Sequence, residues 1–219
     1  MARKFPATPS LKRPTNVVDP KVEIHIVCEG RNTEPVYFEQ CATYYGNGLV
    51  KIIPIPGAGA PITIVQKAML LKDELTTKRR KSQNSFDHCF RVWVVFDRDE
   101  HHHIETAINQ ALKNGIDVGF SNPCFELWPL LHLTPYGNQD GRHSVQRRLN
   151  QEMPNYDHES KAIVDFDMIK DSFTTAHDRA RELNTAREAE NCPLGCPSTN
   201  VGELVVKIVQ NGKKWTKQL

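Results

Sequence analysis

Apolar positions in the first two thirds of the chain change period at regular intervals. Residues 22–28 (VEIHIVC) form a short β-rich run, residues 34–45 carry a helical pattern, and residues 49–55 form a second β-rich run closed by Pro56 and Gly57. Pro61 suits the first turn of a helix, in which Ile64, Ala68, Leu71 and Leu75 recur at helical spacing as far as the charged run 78–81. Residues 91–96 are almost continuously apolar, as a strand covered on both faces would be. A helical segment at 104–114 stops at Gly115, and a short strand follows around 116–120. This alternation predicts βαβ units and hence an α/β fold, with a mostly parallel sheet and helices on both faces.

The flanking regions differ. Residues 1–21 contain Pro6, Pro9, Pro14 and Pro20 and several basic side chains against the single acid Asp19, the composition of a flexible basic arm. After Leu133 the strand-helix alternation ends. Residues 134–160 are polar and turn-rich, whereas 172–190 and 201–210 look helical. The predicted organisation is therefore an arm (1–21), an α/β core (22–133) and a mostly helical C-terminal elaboration packed on the sheet (134–219).

Composition narrows the class. A chain of 219 residues with 39% hydrophobic and 25% charged positions suits one α/β domain with an elaboration, and it contains no run near the ~20 apolar residues that a membrane span needs. The 28 Lys and Arg nearly balance the 26 Asp and Glu, so a net charge of +2 does not argue for nucleic acid or an anionic membrane. Any basic surface must be local. The opening MARKFPATPS lacks the apolar stretch of a secretory signal, so a cytoplasmic location is expected, with the six cysteines as thiols. Cys192 and Cys196 lack a second Cys or His pair at zinc-site spacing, and no metal is predicted there.

Position makes the acids informative, because open parallel sheets bind ligands beyond the carboxyl ends of their strands. Glu29 and Gly30 follow the first predicted strand, Asp97, Asp99 and Glu100 the third, and Ser121, Asn122 and Glu126 the fourth. Three strand ends thus aim carboxylates at one edge. Asp97 and Asp99 would repel each other unless a cation lay between them, and magnesium, or manganese, is the natural hard ion for such oxygens. Gly30 permits close approach of a phosphate, but no Walker loop accompanies it, which argues against an NTPase. In SNPCFELW, Asn122 suits an N-cap and Pro123 the first helical position. Glu126 then falls in the opening turn, where it either complements the helix dipole or serves as a ligand or an orienter of water. Phe125, Trp128 and Leu131 read as core anchors, and Pro129 should kink the helix. His101, in the run of histidines after Glu100, is the candidate for a general acid that protonates a leaving oxygen, and His132 reads as a hydrogen-bonded, partly buried side chain. Arg31, Arg98 and the run Lys78, Arg79, Arg80 are candidate phosphate contacts.

IVCEGRNTEP (26–35), VWVVFDRDEH (92–101) and SNPCFELWPLLHL (121–133), in that order and spacing, resemble the RloB-like family, and CPSTNVGELV (196–205) is similar to its C-terminal segment. The family's core resembles a Toprim domain. The resemblance implies that Glu29 is a metal ligand or general acid or base, that Asp97 and Asp99 are the metal-binding pair, and that Glu126 is the acid of the FELW segment. It further implies a magnesium-dependent nuclease acting on RNA, tRNA included, or on DNA. Family members are similar to components of anti-phage, abortive-infection systems that work with an ATPase of the AAA/ABC kind. A non-catalytic Toprim module that docks on such an ATPase and binds nucleic acid is the alternative, and self-association stays open.

Overall fold

The computed structural model describes residues 21–57, 59–83, 85–98 and 103–210. The basic arm up to residue 20, together with Asp99, Glu100, His101 and His102, lies outside the described residues.

A five-stranded sheet organises the chain, in the order β2-β1-β3-β4-β5. Its strands are β1 (Val22–Cys28), β2 (Val50–Ile55), β3 (Phe90–Asp97), β4 (Asp117–Asn122) and β5 (Ser198–Thr199). The first four are parallel, as the alternation predicts, and β5 joins β4 antiparallel at the edge. Helices α1 (Thr33–Tyr45), α2 (Pro61–Lys81) and α3 (Ile104–Lys113) are the crossovers, followed by α4 (Leu127–Leu133), α5 (Arg142–Glu152), α6 (Phe166–Ile169), α7 (Phe173–Ala189) and α8 (Val201–Val209).

The apolar run of β3 divides between two cores. Val92, Val94 and Phe96 pack with Val27, Ile64, Ala107 and Phe120 beneath α2 and α3. Trp93 and Val95 face the opposite way, joining Ile24, Ile26, Tyr37, Trp128, Leu149 and Leu204. A strand alternates its side chains between faces, so a continuous apolar run is what a strand covered on both sides requires. The second core also contains Tyr156, Val164, Ile169, Ala180 and Ile208, so the C-terminal helices complete one face of the same sheet.

Three readings of the sequence are corrected. Residues 142–152, within the stretch expected to be turns, form α5, which buries Val145 and Leu149. Asn122 does not cap a helix: it ends β4, its amide donates to the Leu194 carbonyl at 2.7 Å, and the Asn122–Pro123 bond is cis. Helix α4 instead starts at Leu127, with Glu126 at the cap position. Pro129 therefore falls in the first turn, where its missing N–H has no intrahelical acceptor to lose, and the helix runs on to Leu133 without a break.

The CPSTN stretch closes the sheet. Asn184 of α7 brackets Thr199, donating to its carbonyl at 2.9 Å and accepting from its N–H at 3.1 Å, while Ser121 and Thr199 share a hydroxyl hydrogen bond of 2.9 Å. Asn200 accepts from the Phe120 N–H at 2.6 Å. These bonds satisfy what would otherwise be an open strand edge. At Gly202 a Cβ would meet Trp128 at 3.0 Å, so glycine lets α8 approach that ring.

Candidate functional site: an acidic cleft at the sheet's switch point

The chain leaves β1 toward β2 on one side, while β3 lies on the other. Helices on opposite faces diverge at such a switch point and leave a crevice beyond the strand ends. Glu29 and Asp97 flank it. The Glu29 N–H donates to the Val95 carbonyl at 3.0 Å, extending the β1–β3 ladder, and the Asp97 N–H donates to Glu29 Oε2 at 3.3 Å. A cleft of about 300 Å³ opens here, lined among others by Glu29, Gly30, Glu34, Asp97, Glu126 and His158.

Glu34, in the first turn of α1, joins the predicted acids. It is buried, and its Oε1 accepts from the Gly30 N–H at 3.1 Å. A Cβ on Gly30 would lie 2.0 Å from Glu34 Oε2, so the glycine after Glu29 makes room for this carboxylate. Burial, with Glu126 and Glu29 close by, pushes Glu34 up to about 7. Asp97 is raised well above the carboxylate range by burial first and then by the charges of Glu34, Glu126 and Glu29. Its Oδ1 is out of solvent and has no hydrogen-bond partner.

Glu126 is differently placed. Burial would raise it, but hydrogen bonds from His158 and Tyr156 hold it below its ordinary value. Tyr156 Oη donates to Glu126 Oε1 at 2.7 Å, and His158 Nδ1 lies 3.0 Å from the same oxygen. The carboxylate is therefore committed to orienting other side chains.

The candidate cations divide by position. Arg31 is exposed, with its side chain over Gly57 after β2. Arg98 is exposed after β3, and its N–H donates to the Ser121 carbonyl at 2.8 Å. Both stand at the carboxyl edge, outside the cleft lining. Lys78, Arg79 and Arg80 form the last turn of α2, which returns to the amino edge, and Lys78 pairs there with Asp87 at 3.0 Å. The cleft's own basic side chains are Arg142, His143 and His158, all from the region expected to be turns. His132 is fully packed, with Nδ1 3.1 Å from the Ile169 carbonyl, and burial lowers it to about 4.

The donor chemistry suits a hard divalent cation, since the cleft offers carboxylate oxygens whose mutual repulsion a cation relieves. Among the described residues, no three His, Cys, Asp or Glu side chains form a ready cage for one. Magnesium does not need such a cage: it keeps its waters and is typically held by one or two carboxylates together with substrate phosphates.

A mostly parallel sheet with acids gathered at the carboxyl ends of its central strands defines an α/β protein with an acidic cleft at its topological switch point. The chain belongs to the RloB-like protein family, whose model matches residues 24–208, from β1 through α8. Comparison with curated proteins and with solved structures gives no match. Among the described residues, no helix is long and apolar enough to cross a membrane.

Proposed function

We propose that the chain is a magnesium-dependent nuclease of the Toprim type that cleaves phosphodiester bonds of RNA, tRNA included, or of DNA, and acts in anti-phage defence beside an AAA/ABC-type ATPase. The observation that carries the chemistry is the pairing of Glu29 and Asp97 at the switch point, where Asp97 Oδ1 is buried with no partner. A buried acceptor left unsatisfied costs free energy, and its persistence beside two further acids marks a position kept for a ligand rather than for stability. The nuclease type and the ATPase partnership follow from family kinship.

In this reading Glu29, Asp97 and Asp99 hold magnesium or manganese, which supplies Lewis-acid stabilisation of the phosphoryl oxygens. Glu34 holds the Gly30 N–H and so sets the turn after Glu29. Arg31 and Arg98, exposed at the carboxyl edge, meet the flanking phosphates of the strand. The apolar floor supplied by Cys124 and Phe125 limits water around the acids.

The test uses the purified full chain with magnesium, manganese or a chelator, on RNA and DNA, alone and with its ATPase. Metal-dependent cleavage that disappears in both Asp97→Asn and Glu29→Gln, with unchanged circular dichroism, is the expected result. Undiminished cleavage in both variants overturns the reading. Metal and nucleic-acid binding without cleavage under every condition would make the chain a docking module instead.

A further inference from the structure

We infer that His158, held by Glu126, donates the proton to the leaving oxygen at this cleft, an assignment that rests on the nuclease reading above. Three observations support it. The ring is anchored through Nδ1, 3.0 Å from Glu126 Oε1, and that carboxylate is itself fixed by the Tyr156 hydroxyl at 2.7 Å. Nε2 is thereby turned to the opposite side, where Gln146 of α5 offers its side-chain amide at 3.2 Å. The side chain keeps 48% of its surface exposed while Glu126 keeps 6%, so a buried carboxylate stands behind an imidazole that substrate can reach.

This is the arrangement of a base oriented by a third group: the carboxylate holds Nδ1–H, and Nε2, which accepts from the Gln146 amide while the ring is neutral, is the nitrogen that exchanges a proton once that amide turns to present its oxygen. The hydrogen bond to Glu126 and its charge raise the imidazole above its ordinary value, against burial and the charge of Arg142. The groups facing the ring are Glu126 behind it, Glu34 of α1 across the cleft, Arg142 and His143 of α5, and the flanking Asp157 and Glu159. His158 also lines a second cavity along α5, of about 760 Å³, together with Arg147 and Asn150. It thus stands where a strand lying along α5 enters the acidic cleft.

The step balances without any further reactant. Water forms a bond to phosphorus as the bond to the leaving oxygen breaks. The Nε2 proton of the imidazolium passes to that oxygen and yields a hydroxyl. The surplus proton of the attacking water goes to solvent, from which the imidazole is recharged. Glu126 is a positioning residue that stabilises the charged ring.

The experiment compares wild type, His158→Asn and His158→Gln, as full chains in magnesium, on an oligonucleotide cut at an ordinary linkage and on one with a bridging sulfur leaving atom. The thiolate departs without a proton. Both variants should lose about 10²- to 10⁴-fold on oxygen and stay within about threefold of wild type on sulfur, without the alkaline limb of the wild-type pH profile. Equal losses on both substrates, or no loss on either, overturn the assignment while leaving the nuclease reading intact. Failure of wild type to cut either substrate overturns the nuclease reading and this assignment with it. A readout independent of activity is the NMR titration of the His158 ring in the metal-free chain, whose midpoint should fall in Glu126→Gln because the hydrogen bond and charge that raise it are removed. An unchanged midpoint overturns the pairing.

Discussion

Acids stand at both ends of the central strands, and their surroundings are opposite. At the amino end Glu23 accepts from Lys51 at 3.1 Å and lies 3.5 Å from His25 Nε2, and Asp87 accepts from Ser82 at 2.6 Å and pairs with Lys78 at 3.0 Å. Burial would raise Glu23, but Lys51 and His25 hold it below its ordinary value; Ser82 and Lys78 do the same for Asp87. At the carboxyl end burial raises both Glu34 and Asp97, and neighbouring acids raise them further, Glu126 and Glu29 acting on both and Glu34 on Asp97. Paired acids of the first kind are surface structure with little effect on stability. Acids crowded together and desolvated oppose folding, and the packing around them must hold them in place. The contrast separates an edge whose acids are paired from one whose acids are crowded.

The largest effect expected from breaking this contrast is at Asp97. Asp97→Asn should lower metal-dependent cleavage roughly 10³-fold or more while raising the metal-free melting temperature by a few degrees at pH 8, because a repelling charge is gone. Cleavage assays and thermal melts on the same preparation check both halves, and a variant that is both active and less stable would erase the distinction between the two edges.

Next in size is an alkaline loss of stability. Glu34 is raised from 4.5 to about 7 in the fold, so its contribution is complete below pH 4.5 and is lost as pH rises through 7. Metal-free melts should fall by several degrees between pH 5 and pH 8. Glu34→Gln should flatten that slope, and magnesium should restore the midpoint at pH 8 by binding the folded state. A flat wild-type profile would contradict the crowded-acid account.

The paired edge should show the opposite sign and a smaller size. Glu23 is held below 4.5, so its stabilisation is present above that value and lost as pH falls through the folded one. Glu23→Gln should remove that acid-side slope at a cost of at most about 1 kcal/mol at pH 7, read by urea unfolding. The smallest effect belongs to the triple change Lys78→Ala, Arg79→Ala and Arg80→Ala, which should leave cleavage within about twofold and stability within about 1 kcal/mol. A large loss of cleavage there would mean that nucleic acid reaches the amino edge.

Glu29 and Asp97 were legible because the end of a parallel strand is a property of local pattern, and the sheet brings strand ends together whatever the rest of the fold does. Glu34 gives no such signal, because an acid in the first turn of a helix is ordinary and its burial depends on Gly30 leaving space. The direction of α2 was available in principle: a crossover helix must return to the amino edge, which carries Lys78 away from the cleft. Helix α5 is apolar chiefly at Val145 and Leu149 within a polar stretch, too sparse a period to stand out. Tyr156 and His158 carried no signal, since nothing in the order of residues ties them to Glu126, about thirty positions earlier.

Periodicity was sufficient for the parallel α/β core and for the edge at which its acids gather, because strand and helix spacings are local consequences of backbone geometry. Which acids are paired and which are crowded, and that a histidine from the C-terminal region stands over Glu126, required the packed chain. Charge and hydrogen-bond partners are fixed by distances of a few ångströms between segments far apart along the backbone, and residue order does not encode those distances locally.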